Sequence, residues 1–167
     1  VLRSISMEVE NQKLIGLIGR NVSGKTTLMR TIIGLLPHQG GLIMFNGKPL
    51  DHSIPAYKRV RMGIGYMPED RRLVPELTVK ENILITGWTT RKDEEVIKKL
   101  DAIYDMIPEV QELSKRKALF LSGGQQKLVA LARALMAGDR ILLLDEPFEG
   151  VAPVLAKRLI EVIRNLK

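Results

Sequence analysis

Gly19-Arg20-Asn21-Val22-Ser23-Gly24-Lys25-Thr26 has the form G-x-x-x-x-G-K-[ST], the loop whose backbone wraps phosphate groups. The apolar run Lys13–Ile18 precedes it and reads as a strand, while Leu28, Met29, Ile32, Ile33, Leu35 and Leu36 come after it at helical spacing. Strand, loop and helix are the context that this motif requires. Its glycines let the N–H groups turn inward onto phosphate oxygens, and the helix adds the positive end of its dipole. Lys25 then supplies charge for the β and γ phosphates, and Thr26 a hydroxyl for Mg²⁺. The four fixed positions coincide by chance in on the order of half a percent of chains this long, given ordinary glycine usage. The candidate nucleotide-binding residues are therefore Gly19, Arg20, Asn21, Val22, Ser23, Gly24, Lys25, Thr26 and Thr27.

Upstream, Leu2, Ile5, Met7 and Val9 approach alternation, predicting a first strand linked to Lys13–Ile18 through a tight turn at Glu10–Gln12. Downstream, Leu42–Phe45 enters Asn46-Gly47, a pair that accepts the positive φ of a hairpin turn and predicts a small antiparallel layer. Thr78-Val79-Lys80-Glu81 has capping-box spacing. Val96, Ile97, Leu100, Ile103, Tyr104 and Ile107 mark a further helix ending at Pro108, so residues 78–122 read as a helical subdomain. Ser122 can cap another helix, with Leu128, Val129, Leu131, Ala132, Leu135 and Met136 inward and Gly138 at its end. Ile141–Leu144 does not alternate, the pattern of a parallel strand buried on both faces. A last helix is predicted over Val154–Lys167. The fold class is α/β: a P-loop NTPase core with a mostly parallel sheet, a small antiparallel β layer and a helical insert, in one domain over residues 1–167.

Asp145 and Glu146 come directly after the buried strand, where a parallel sheet gathers its ligand contacts. Asp145 can hold Mg²⁺ through a water, and Glu146 can orient or deprotonate the attacking water. Taken alone, an acidic pair after an apolar strand reads more readily as a helix cap or a solvated strand end. Leu121-Ser122-Gly123-Gly124-Gln125 repeats the phosphate logic of the first loop, with a hydroxyl and free N–H groups at a second helix N-terminus. One chain thus carries two phosphate-binding surfaces.

Composition narrows the class. At 167 residues with 45% apolar residues, one ordinary core and a soluble protein are expected. Apolar stretches such as Leu14–Ile18 and Ile141–Leu144 fall far short of the roughly 18 residues a membrane helix needs. Cysteine is absent, so any metal is expected to be held by oxygen. The net charge of +7 is spread over Lys58–Arg61, Arg71–Arg72, Arg91–Lys99 and Lys115–Lys117, and only seven aromatics are available for base stacking. Solvated basic faces are the better reading, and no nucleic-acid partner is expected.

The order of the glycine loop, Leu121–Gln125 and Leu142-Leu143-Leu144-Asp145-Glu146-Pro147 resembles the ATP-binding cassette ATPases over essentially the whole chain. The segments Gly63–Arg72, Pro75–Asn82 and Gly150-Val151-Ala152-Pro153 are most similar to the branched-chain amino-acid importer subgroup. The resemblance implies a second ATPase subunit paired head to tail, so that Ser122, Gly123, Gly124 and Gln125 of one chain contact the nucleotide held by Gly19–Thr27 of the other. It also implies ATP and Mg²⁺ as cofactors, integral membrane permease subunits, a solute-binding protein acting indirectly, and a place on the inner face of the cell membrane. Glu69 stands where most cassettes carry Gln, a position that by resemblance touches Mg²⁺ or the water; as a loop acid it also reads as solvated.

Three departures stand out. Val22 replaces the family's usual glycine, and a β-branched residue is poor where φ must be positive; Arg20 beside it can add a phosphate contact. Ala152 stands where most cassettes have an Asp. The family's adenine-stacking aromatic and its switch histidine find no counterpart within 1–167, since His38 and His52 precede the acidic strand. The chain is therefore expected to be a cassette shortened at both ends, with an unpaired hydrophobic sheet edge, that binds ATP and hydrolyses it poorly by itself. A cassette acting on nucleic acid or ribosomes remains an alternative, although only 97 positions separate Lys25 from Ser122, too few for a long coiled-coil insert. A catalytically silent cassette is a third, favoured by Val22 and the missing switch histidine.

Overall fold

The computed structural model describes residues 2–166, so Val1 and the Lys167 end of the predicted last helix lie outside the described residues. In chain order the elements are α1 (Lys25–Ile32), β1 (Met44–Phe45), β2 (Lys48–Pro49), α2 (Ala56–Arg61), β3 (Ile64–Met67), α3 (Val79–Trp88), α4 (Asp93–Met106), α5 (Pro108–Glu112), a 3-10 turn (Ala118–Phe120), α6 (Gly123–Ala137), β4 (Ile141–Leu144) and α7 (Pro153–Arg164). β3 and β4 pair in parallel, Ile64 opposite Ile141 through Met67 opposite Leu144. The hairpin β1–β2 pairs Met44 with Pro49 and Phe45 with Lys48. Its corner has Asn46 at φ 48° and Gly47 at φ 74°, the two positive values that a type I′ turn demands.

The capping expectations are realised at atomic level. Thr78 Oγ1 accepts from Glu81 N at 3.2 Å while Thr78 N donates to Glu81 Oε2 at 2.7 Å, closing both orphan donors at the start of α3. Ser122 does the same for α6, with Gln125 as the reciprocal partner. The main core joins α3, α4, α6 and α7 through Ile83, Val96, Ile103, Leu128, Leu131 and Leu159, all buried. α6 lies so close to β3 that a Cβ on Gly65 would sit 2.3 Å from the Ala134 carbonyl oxygen. Only glycine permits that approach.

The first two predicted strands are not formed: residues 2–19 carry no ladder, and Ile18 is fully exposed at 101%. A strand exists only as a hydrogen-bonded partner of another. β3 and β4 serve each other, and among the described residues no neighbour offers Lys13–Ile18 a ladder. The predicted turn at Glu10–Gln12 is present, with Gln12 at φ 59°. The parallel sheet among the described residues is thus the β3–β4 pair.

A second, smaller core beneath α1 contains Ile33, Leu50, Ile64 and Leu143. Beside it Arg59 is 2% exposed. All five of its donors reach main-chain carbonyls: Nε to Ile54 at 2.8 Å, Nη1 to Thr31 at 3.1 Å and Ile32 at 2.8 Å, and Nη2 to Leu50 at 3.3 Å and Asp51 at 2.7 Å. Two of those carbonyls end α1, where a cation also meets the negative end of the helix dipole. Burial pushes the Arg59 pKa down and nearby Asp51 opposes it. Replacing Arg59 by Met leaves several buried carbonyls without donors, and the expected cost is about 3 kcal/mol. The midpoint of chemical unfolding measures it, with Arg59→Lys recovering only part because one ammonium cannot span five acceptors.

Candidate functional site

The glycine loop is anchored by its own backbone before any side chain acts. Ser23 N donates to Arg20 O at 3.1 Å, and Gly24 at φ 102° serves as the N-cap residue from which α1 starts. Arg20, Asn21 and Val22 project from the loop and are exposed. Val22 sits at φ 69°, the left-handed conformation that its β-branch disfavours, so its departure from the usual glycine is a real backbone strain. Thr27 is half-buried one residue further along α1. Lys25 folds back over the loop, donating from Nζ to Gly19 O at 3.0 Å and Arg20 O at 3.4 Å. Its ammonium also lies 3.3 Å from Glu146 Oε1.

β4 delivers the acidic pair to the same place. Thr26 Oγ1 donates to Asp145 Oδ1 at 3.0 Å across a sequence separation of 119. Tyr66, on the neighbouring strand β3, donates its hydroxyl to Asp145 Oδ2 at 3.4 Å. Asp145 is only 1% exposed. Burial raises the Tyr66 pKa, with Arg30 opposing through a hydrogen bond and the Asp145 charge adding to it. The structure therefore brings together Gly19–Thr27, Asp145 and Glu146 within hydrogen-bond and ion-pair contact. Glu69, just beyond the end of β3, is exposed in the adjoining loop.

The donor set suits Mg²⁺: a threonine hydroxyl and a buried carboxylate lie side by side, both hard oxygens. No group of three or more His, Cys, Asp or Glu gathers elsewhere among the described residues to hold a metal. A magnesium ion that keeps waters and phosphate oxygens needs no such cage.

The segment Ser122–Gln125 stands apart. Ser122 is exposed at the start of α6, and no hydrogen bond joins Ser122–Gln125 to Gly19–Thr27 among the described residues. Gly124 packs so tightly on α7 that a Cβ there would lie 2.2 Å from Leu155 Cδ2. Arg71 donates from Nη1 to Gln126 Oε1 at 2.8 Å, linking the loop after Glu69 to this helix start.

Sequence reasoning missed three contributors: Tyr66, Arg71 and Lys127. Lys127 had a signal. It lies four residues before Leu131 and seven before Ala134, hence on the inward face of an otherwise apolar helix. It is 1% exposed and donates from Nζ to the Glu146 carbonyl at 2.6 Å. Burial lowers its pKa, as does the Arg71 cation, while Glu149, Glu69 and Glu146 pull it up.

A helix-capped glycine loop with Lys25 and Thr26 facing two carboxylates at the end of a parallel strand defines a P-loop nucleotide-binding protein of the NTPase fold. The chain belongs to the ABC transporter family, whose domain matches residues 2–149. The high-affinity branched-chain amino acid transport ATP-binding protein BraG of Pseudomonas aeruginosa is 36% identical over 166 residues, covering 99% of this chain and 70% of the relative. The lipopolysaccharide export system ATP-binding protein LptB of Escherichia coli K12 is 32% identical over 170 residues, with the same coverages of 99% and 70%. Among solved structures, the ADP conformation of MJ1267, an ATP-binding cassette of an ABC transporter, superposes with TM-score 0.74 at 33% identity. It covers 89% of this chain, which in turn spans 63% of that cassette.

Val22 is 95% exposed, so no packing is lost on replacing it. Val22→Gly relieves a left-handed β-branched residue and is expected to raise unfolding stability by about 1 kcal/mol, read as a higher denaturant midpoint at unchanged slope.

Proposed function

We propose that this chain is the ATP-binding and ATP-hydrolysing domain of an importer for branched-chain or other amino acids. The observation that carries the catalytic half is the contact of the glycine loop with the acidic strand end: Thr26 on Asp145 at 3.0 Å and Lys25 on Glu146 at 3.3 Å. The importer half rests on the 36% identity to the branched-chain amino acid transport protein.

In this reading Gly19–Thr27 grip the phosphates of ATP, with Lys25 on the β and γ groups. Thr26 and Asp145 hold Mg²⁺, with Glu69 near the metal or the water, and the ion supplies charge that offsets the crowded phosphate oxygens. Glu146 aligns the attacking water and takes its proton. Ser122, Gly123, Gly124 and Gln125 meet the nucleotide of a second ATPase subunit, a reading supported by the absence, among the described residues, of any hydrogen bond between them and the glycine loop of their own chain. Residues 1–167 act as one nucleotide-binding domain with 78–122 as its helical subdomain. Permease subunits anchor the assembly at the inner face of the membrane, and a solute-binding protein acts through them. No helix among the described residues is long and apolar enough to cross a membrane, which suits a peripheral subunit.

Export is the second reading, favoured by 32% identity to the lipopolysaccharide export protein. Purifying the whole protein from membranes with its associated subunits separates the two: an amino-acid permease is expected, and an export partner in its place would remove the importer assignment. In the same preparation, Glu146→Gln is expected to lower ATP turnover at least about 100-fold while ATP binding persists and an ATP-bound dimer accumulates. Turnover at the wild-type rate would take Glu146 out of its role. ATP hydrolysis stimulated by DNA or RNA, with steeply salt-dependent binding, is not expected.

A further inference from the structure

Lys127 is a fully buried cation that the proposed reaction does not use. Its Nζ makes no ion pair among the described residues, and a buried charge without a close counter-charge is costly to keep. A methionine would fill the same volume at less cost. Among the described residues its ammonium donates one hydrogen bond, to the Glu146 carbonyl at 2.6 Å. That carbonyl also accepts from Glu149 N at 3.2 Å, so both of its lone pairs are engaged.

Glu146 itself sits at φ 47°, a left-handed conformation that a residue other than glycine holds only when its surroundings impose it. The peptide orientation at Glu146 fixes its Cα–Cβ direction, and with it where the carboxylate can point. Lys127 lies on α6, the helix that opens with Ser122 and Gly123. It therefore spans from the second phosphate surface to the backbone of the carboxylate beside Lys25.

Resting on the role of Glu146 under Proposed function, we propose that Lys127 is a positioning residue for hydrolysis: its bond to the Glu146 carbonyl fixes the left-handed peptide from which the carboxylate is aimed, and ties that aim to the signature helix. A lysine on an inward helical face, bonded to main chain rather than to a carboxylate, is retained for geometry and not for stability.

The test compares wild type, Lys127→Met, Lys127→Gln and Lys127→Arg in the whole protein, by steady-state ATPase kinetics, equilibrium ATP binding and thermal unfolding. Lys127→Met is expected to lower kcat by about tenfold to 100-fold, the scale of a misplaced catalytic group. Its KM and Kd for ATP are expected to stay within about twofold of wild type, and its Tm to be no lower, because an unpaired buried charge has been removed. Lys127→Gln, too short to reach the carbonyl, is expected to show the same loss, and Lys127→Arg to restore most of kcat. Wild-type turnover in a folded Met or Gln variant overturns the proposal. So does a parallel fall of kcat, ATP affinity and Tm, which marks a merely structural residue. Glu146→Gln measured alongside separates the two layers: wild-type turnover there overturns the role of Glu146 and this proposal with it. An inactive Glu146→Gln beside an unimpaired Lys127→Met overturns the positioning role alone.

Discussion

The parallel register of Ile64–Met67 against Ile141–Leu144 is the constraint that builds the site. Parallel strands begin at one edge and finish at the same opposite edge, so the segments leaving Met67 and Leu144 emerge side by side. Asp145 N donates to Met67 O at 2.9 Å, extending the ladder one step and fixing the first carboxylate before its side chain meets anything. Tyr66 then reaches Asp145 from the adjacent strand and Thr26 from the facing helix. Slipping the register by one residue would turn Asp145 to the other face of the sheet and separate it from Thr26. Gly65 matters for the same reason: it lets α6 seat against the strand pair, and a side chain there would lift the helix that bears Lys127 and Ser122.

Two buried cations, Arg59 and Lys127, act on carbonyls rather than carboxylates. A carbonyl attracts a cation less than an anion does but lies at a fixed place in the chain, so binding it constrains backbone geometry directly. Arg59 gathers five such oxygens, two of them from Thr31 and Ile32 at the end of α1, and so secures the helix whose opposite end begins at the glycine loop. Lys127 binds one, at the residue where the chain leaves β4. Between them they pin the two segments that converge on Lys25 and Glu146.

Much of this was legible in the sequence, because the local rules involved are short-ranged. Thr78 with Glu81, Ser122 with its glycines, and Asn46-Gly47 each specify their own geometry within four residues, and each takes the form its sequence predicts. Val22 could be identified as a strained position because a φ requirement is a property of one residue. The loop's partnership with Asp145 and Glu146 was legible only through motif order, since hydrogen bonds across more than a hundred residues leave no local trace. Lys13–Ile18 shows the converse. Its composition is that of a strand, yet strand formation depends on a neighbour that composition does not specify, and none pairs with it among the described residues. Arg59 and Lys127 escaped because charged residues are read by default as solvated; only their spacing against apolar neighbours pointed inward.

Lys25 places the strongest electrostatic demand on the site. Its ammonium has three donors, and Gly19 O, Arg20 O and Glu146 Oε1 all lie within reach. A phosphate group competes with all three, and as a multiply charged acceptor it wins against neutral carbonyls and a partly exposed carboxylate. Glu146 would then lose its partner, with its backbone still held by Lys127 and Glu149. An acid released from a cation, on a peptide that does not move, can turn to a new partner without the chain refolding around it. That arrangement requires the Glu146 peptide to be fixed independently of its side chain, and the two donors on its carbonyl supply that independence.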